Sequence, residues 1–546
     1  MNCNGIVMSL GAGLLALSVV ADESLMLIRL RGPHTADDMQ WARTFSALKK
    51  NRAACDEVWF STGIGFPKME WHRAHAERLL RYARDLRSAG IVPSLQFQAT
   101  LGHSDSLTLL EGASGKTWGG FTGRGGVECK ACNCPRQPAF LAYVRDMARL
   151  YAAFRPAWVW IDDDLRIKSH SPGSTGSDIG CWCQTCLAAF NAETGGTWTR
   201  ERLAQAIFSG DTALYDAWER FSFAGIAEVA RVIAVVTHEV SPETRLAYQH
   251  AAWRNDAQLA IFKAMREATG LPVGARPGGG SYYDQNPNHQ PAKAFAAARQ
   301  MKVLGAPDWI CTWCPEVETF PRAFASRTAQ GILVECITSL AYGMNALSLL
   351  IMDTRSETDD WYSENLLAPL AAERDVLQGY RDWNRDTVPA GLADESGESA
   401  AALYRYALAG VPVVPGVGRV FGAVTAEDVK INLATLTSAN IRDLRRRAAE
   451  RAGWKLPVHV RDPSVALVVP RVTKDGRLKS VMMLNARIDV QKPVTLALRG
   501  VPPEVKSATW RAFRQPAVTL PLWREGAETC VTLPEISAWN AGWLGL

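Results

Sequence analysis

Short apolar runs ending in polar or acidic residues recur through roughly the first 385 residues, each followed by a stretch whose apolar positions have helical spacing. The strand-like runs fall at residues 25–30, 57–61, 92–97, 158–162, 245–250 and 272–276, with a seventh inside 308–318 and an eighth at 346–353. Amphipathic segments lie between and after them, at 74–88, 138–154, 224–238, 256–269, 292–304, 326–342 and 364–383. Strands alternating with helices in this way predict a (β/α)8 barrel, the TIM-barrel fold, over residues 22–387. The connection after the fourth strand, about residues 165–220, is long, as loops that shape access to a catalytic face often are.

The pattern changes near residue 388. A short apolar run, a charged helical segment at 440–453 and a further run at 458–460 predict a small α/β domain over 388–462. Short alternating runs then follow at 465–469, 480–485, 494–498, 508–513 and 529–533, the pattern of a C-terminal β-sandwich over 463–546. At the other end, residues 6–20 are apolar, and Val19-Val20-Ala21 resembles a signal-peptidase site. Residues 1–7 hold no Lys or Arg, and Gly11 and Gly13 equally permit a hairpin. Residues 1–21 are therefore a signal peptide, implying a periplasmic or secreted protein, or an N-terminal hairpin of a cytoplasmic one. Beyond them, no segment reads as long and apolar enough to span a membrane.

Two of the runs end in carboxylates. One is Trp158-Val159-Trp160-Ile161-Asp162-Asp163-Asp164, and the other is Glu316-Val317-Glu318. The C-terminal strand tips of a barrel are where catalytic groups sit, and two facing carboxylates are the machinery for hydrolysing a glycosidic bond. Asp163 and Glu318 are the first candidates. Asp164 and Glu316 are the alternatives: strict alternation puts Asp163 on the helix side with Val159 and Ile161 and Asp164 inside, while Glu316 shares a face with Glu318. Asp162, Trp160, Gln98, Tyr248, His250, Arg276, Trp313 and Asp353 lie at or near strand ends and are candidate sugar ligands. Arg166 and His170 follow the acidic run and are placed to hold its charges. The 19 tryptophans include enough to line a cleft, although most belong in a core. A net charge of +5 over 546 residues, with no long basic run, argues against a nucleic-acid partner.

Cys181-Trp182-Cys183-Gln184-Thr185-Cys186 places three thiols within six residues, and Cys129, Cys132 and Cys134 lie upstream. Three cysteines from one loop and one from its neighbour would build a closed, structural zinc site with four thiolate ligands. Disulfides or unpaired thiols are the alternatives. Cys311 and Cys314 also form a C-x-x-C, but residues three apart on a strand face opposite sides, which makes them core or pocket-wall residues.

Together these motifs resemble the clan A glycoside hydrolases, more narrowly family 42, the trimeric β-galactosidases, and family 164, which contains β-mannosidases. The resemblance spans nearly the whole chain. In family 42 a strand-four Asn-Glu is followed by a C-x-C-x-x-C zinc loop; here Asp162-Asp163 stands in that place and Cys181–Cys186 follows. Cys134-Pro135 matches the fourth zinc ligand, and Glu318, three residues before Pro321, matches the nucleophile. The Asp-Asp pair departs from the family and shortens the acid/base by one methylene. The resemblance implies a retaining, exo-acting β-glycosidase, a β-mannosidase or β-galactosidase, forming a homotrimer through residues 388–462. It also implies one structural zinc on Cys134, Cys181, Cys183 and Cys186, a carbohydrate substrate and no catalytic cofactor. The rivals are a metal-dependent glycosyltransferase using Asp162–Asp164, a non-catalytic sugar-binding barrel, and a zinc hydrolase, against which all-Cys ligation argues.

Overall fold

The computed structural model describes residues 24–98, 100–102, 115–166, 179–250, 258–319, 326–352, 359–431 and 436–546. The chain divides into two compact units. One runs up to Lys49 and continues through Cys55–Gly278 and Pro307–Thr312; the other comprises Lys50–Ala54, Gly279–Ala306 and Trp313–Leu546.

The first unit is built on parallel strands: β1 (Met26–Arg29), β2 (Glu57–Ser61), β3 (Val92–Phe97), β4 (Trp158–Ile161), β5 (Arg245–His250), β6 (Val273–Pro277) and β7 (Ile310–Trp313). They pair in that order. In a parallel ladder, residues in register share a face. Arg29, Trp59 and Ser94 therefore lie together, as do Ser61, Gln96, Trp160, Ala247 and Gly274. Trp59 and Trp160 stand two strands apart, yet their rings stack at 4.2 Å. Only a concave face brings them together, with Ser94 leaving the room between. Gly274 fits the same column: a Cβ there would sit 2.9 Å from that of Ala247 and 3.1 Å from the Trp160 ring.

The opposite face is covered by helices. Met69–Ser88 buries His72, His75, Ala76, Leu79, Tyr82, Ala83 and Leu86, the stripe expected of one apolar helical face. It stops just before Gly90, whose φ of 69° lies in the left-handed region suited to a helix end. The 29-residue helix Thr212–Val240 amends the sequence expectation about membranes: its length and mean hydropathy of 1.4 are enough to cross one. However, 72% of its most apolar window is buried within the protein, as in a core helix.

In the second unit, β8 (Glu316–Glu318) pairs in parallel with β9 (Leu347–Leu350), joined through helix Ala329–Ala341. Thr328 caps that helix by accepting from Gly331 N–H. The expected seventh strand is thus two, β7 and β8, separated at Cys314-Pro315. Farther on, Thr387–Asp394 pairs in parallel with Val413–Val414 and Arg419–Val424, and antiparallel with Leu467–Thr473. Val458–Val460 joins a second sheet beside Val494–Leu498. Both sheets therefore run across residue 462. They share a core that includes Val460, Val468, Met483, Leu496, Trp510 and Val531. Buried Arg471 ties Thr387 (2.8 Å to its hydroxyl) to the end of helix Ala329–Ala341 (3.0 Å to the Ala341 carbonyl).

Candidate active site

At the end of β4 the chain turns at once, with Leu165 N–H donating to the Asp162 carbonyl at 3.1 Å. Strict alternation stops there. Asp162 continues the inner column of Trp158 and Trp160 and is buried. The amide nitrogens of Gln96 and Gln98 donate to its two oxygens at 3.0 and 3.4 Å. Ser61 in turn donates to the Gln98 amide oxygen, and Arg29 Nε donates to Gln96 at 3.4 Å. Asp163 keeps about a quarter of its side chain exposed, and Asp164 is buried. Arg166 bridges the two, at 3.0 Å from Asp163 and 3.2 Å from Asp164. Arg276, on the inner face of β6, stands 3.9 Å from Asp163.

Burial raises the Asp162 carboxyl to about 7, reinforced by the charges of Asp163 and Asp164 and opposed by Arg29 and Arg276. Oxygens of the three acids lie within 4.8 Å of one another. Like charges this close do not all ionise together, so near neutral pH the group holds a proton.

The structure separates the candidate sugar ligands. Gln98 and Arg276 border Asp162 and Asp163. Trp160 is fully buried in the barrel column beneath Asp162. Tyr248 and His250 lie on the other face of β5, against Phe262 of the covering helix, and Tyr248 also hydrogen-bonds the Leu165 carbonyl. Between them, Gln249 faces inward in register with Arg276. It is fully buried, and among the described residues neither of its side-chain polar atoms has a hydrogen-bond partner. Arg29, Gln96 and Gln249 were not singled out from the sequence; strand parity, counted inward from the tips, is the signal that finds them.

In the second unit, Val317 is fully buried, and Glu316 and Glu318 share the opposite face of β8. Glu316 is buried, and its carboxylate accepts from Gly279 N–H (3.1 Å) and the Tyr282 hydroxyl (2.9 Å). Glu318 is partly exposed. Its carbonyl accepts from Arg327 (2.8 Å), a fully buried guanidinium that also contacts Asp284 (3.0 Å) and Glu335 (2.8 Å). Lys293 completes the network, 2.9 Å from Glu335 and stacked over the Tyr282 ring. Trp313 is buried at the end of β7. Asp353, His170, Pro321 and residues 1–21 fall outside the described residues.

The cysteine loop folds as a unit. Cys183 precedes helix Gln184–Thr194, and Cys134 approaches from the strand Glu128–Asn133. Sγ of Cys134 lies 3.5 Å from those of Cys183 and Cys186, too far for a disulfide. All four sulfurs of Cys134, Cys181, Cys183 and Cys186 fall within 4.8 Å of one another, so the cluster can hold a metal ion.

No protein-family model and no curated protein sequence matches the chain. Solved structures do. α-L-Fucosidase isoenzyme 2 from Paenibacillus thiaminolyticus superposes with a TM-score of 0.57 at 9% identity, over 96% of this chain and 99% of that one. The cold-adapted β-galactosidase from Rahnella sp. R3 gives 0.55 at 11%, over 94% and 98%. Gan42B, a GH42 β-galactosidase from G. stearothermophilus, gives 0.53 at 10%, over 96% and 98%. The fold is thus a (β/α)8 barrel followed by smaller α/β and β-sheet parts, and it resembles that of the family 42 glycosidases.

Proposed function

We propose that the protein is a glycoside hydrolase: a retaining, exo-acting β-glycosidase of β-mannosidase or β-galactosidase specificity. The observation that carries this reading is a carboxylate at the C-terminal end of each of two parallel strands, β4 and β8, in a fold shared along its length with glycosidases. Glu318 is the nucleophile, attacking the anomeric carbon to form a glycosyl ester. Asp163 protonates the departing oxygen and later takes the proton of the incoming water. Its partial exposure supports that choice over buried Asp164. Asp162 holds a proton beside it, and Gln98, Arg276 and Gln249 bind sugar hydroxyls. Glu316, fixed by two donors, orients the strand tip.

The same cluster of acids is the observation that favours a second reading, a cation-dependent glycosyltransferase. Arg166 and Arg276 already neutralise much of its charge, which supports the hydrolase. Chelation separates the two, since only the transferase stops when loosely bound divalent ions are removed.

We assign the Cys134, Cys181, Cys183 and Cys186 cluster to zinc. Sulfurs of a tetrahedral zinc site with Zn–S near 2.3 Å lie about 3.8 Å apart, close to the spacing here. Four thiolates would leave no open position, so this metal takes no part in the reaction.

The experiment is a panel of aryl β-glycosides led by mannoside and galactoside, run on the protein and on Glu318→Ala. Turnover of one glycoside is expected, with at least a thousandfold or so lost in the variant while its fold is kept. Full activity in Glu318→Ala would move the nucleophile to Glu316.

A further inference from the structure

The first unit carries a cavity of about 880 Å³ where the segments following β1 and β2 meet the start of helix Met69–Ser88. Trp71, Lys68, Glu70, His75 and Arg78 line it, with Gly63 at its floor. None of these residues belongs to the acidic cluster. The volume lies in the range of small-ligand sites, roughly 300–1,000 Å³.

The cavity centres on one indole. Trp71 is 43% exposed, yet its ring is held on several sides. It stacks on His75 at 4.8 Å and meets His72 edge-on at 5.2 Å. It also lies over Gly63, where a Cβ would come within 2.9 Å of the ring and where φ is +88°. Any side chain at that position would displace the indole.

His75 sets the polar side of the cavity. It is buried, its pKa is lowered to about 4 by that burial, and it is therefore neutral at physiological pH. Its Nε2 lies 2.9 Å from the Ser61 carbonyl, which only accepts, so Nε2 carries the proton. Nδ1 then accepts from Arg78 at 3.3 Å. The end of β2 thus orients Arg78 through a buried imidazole. Lys68 adds a second donor, and Glu70, paired with Arg73 at 3.3 Å, an acceptor.

We propose that this cavity is a second saccharide-binding site. A pyranose ring lies with its C–H face on the Trp71 indole, and Arg78, Lys68 and Glu70 bind its hydroxyls. A fixed, half-open aromatic plane ringed by both donors and an acceptor matches a polyol ring. A site for a simple anion would not place Glu70 at its wall. The cavity opens at the C-terminal ends of β1 and β2, so a glycan bound there lies on the face of the barrel that carries catalytic groups in this fold. The choice of a saccharide rests on the glycosidase reading; the cavity and its platform do not.

Calorimetric titration of the full chain carrying Glu318→Ala, with β-1,4-linked mannotriose and galactotriose, tests this without turnover. One trisaccharide is expected to show a binding event that adding Trp71→Ala abolishes and Trp71→Phe retains. Arg78→Ala should weaken that event by about tenfold. Circular dichroism confirms that each variant is folded. A binding profile unchanged by Trp71→Ala overturns the proposal, as does the absence of any binding by either trisaccharide. Trp71-dependent binding in a protein that cleaves no aryl glycoside would leave this site standing and refute the hydrolase.

Discussion

Glu57 opens β2 with its carboxyl sealed inside the barrel, where it accepts from Trp59 Nε1 at 2.7 Å. Burial pushes it up to about 7, only partly offset by hydrogen bonds from Ser94 and Trp59. A carboxyl with a raised folded-state pKa is most favourable to folding when protonated. Its contribution is lost as pH rises from about 4.5, the unfolded value, through about 7, and above that the folded state carries a penalty of roughly 3 kcal/mol. Glu57→Gln keeps the acceptor for Trp59 and removes the ionisation. Thermal unfolding at pH 8 should shift upward by several degrees, with little change near pH 4.5. An equal shift at both pH values would refute an ionisation origin. Asp162 is raised for the same main reason, but it sits at the catalytic end of its strand, where a group that keeps a proton near neutrality is useful to an acid/base pair. The sequence displays both acids plainly. It does not display their protonation, because both the burial that raises them and the partners that oppose it depend on residues distant along the chain, such as Ser94 for Glu57 and Arg29 and Arg276 for Asp162.

Among the elements, β8 depends most on others for its placement. Arg327 holds the Glu318 carbonyl and is itself held by Asp284 and Glu335, all within the second unit. Arg327→Met leaves Asp284 without this cation and Glu335 with Lys293 alone, and should cost about 3–5 kcal/mol. In the folded variant we expect kcat to fall at least about tenfold with a smaller change in KM, because Glu318, the proposed nucleophile, loses its position rather than its binding contacts. Arg327→Lys should recover part of the stability but less of kcat, since an ammonium lacks the three-way fork. A variant that loses stability while keeping kcat would assign the network to folding alone.

The cysteine loop makes an independent prediction. Elemental analysis should find one zinc per chain, and Cys183→Ser should lose both the metal and thermal stability. A protein without zinc, or with a disulfide among these four residues, would rule the site out. The loop's spacing was readable in the sequence, whereas Cys134 as the fourth member came from the family 42 resemblance. What could not be read was that Cys129 and Cys132, equally near in sequence, stay outside the cluster.

For the whole molecule, we expect a homotrimer formed through residues 388–462, in line with the family 42 resemblance. Light scattering should give about three times the 59.7 kDa of one chain. A mass near one chain would refute it. The charged helix Ser438–Arg451 supports an interaction role: Asp443 pairs with Arg446 and Arg447 on its exposed side, while Arg445 turns inward to the Ala409 and Val460 carbonyls.

The sequence by itself determined the alternation of strands and helices, the two acidic strand ends and the closely spaced cysteines. Each of these is written in local periodicity or spacing, so a window of a few residues is enough to read it. β2, β3 and β5 fall on their expected residues for that reason. The tertiary structure alone decided which face each residue takes at a strand end. After Ile161 the chain turns instead of continuing, which leaves Asp163 partly open, while Asp162 keeps to the inner column of Trp158 and Trp160. On β5 the tip residues Tyr248 and His250 face the helices, and Gln249 faces the barrel. It also decided that Thr387–Asp394 and Leu467–Thr473 share one sheet across the expected boundary at 462. Backbone pairing is indifferent to sequence distance, and the parity of a strand is fixed by its neighbours' register. Alternation can be read from a stretch of chain considered alone, but the pairing and the choice of inward face cannot.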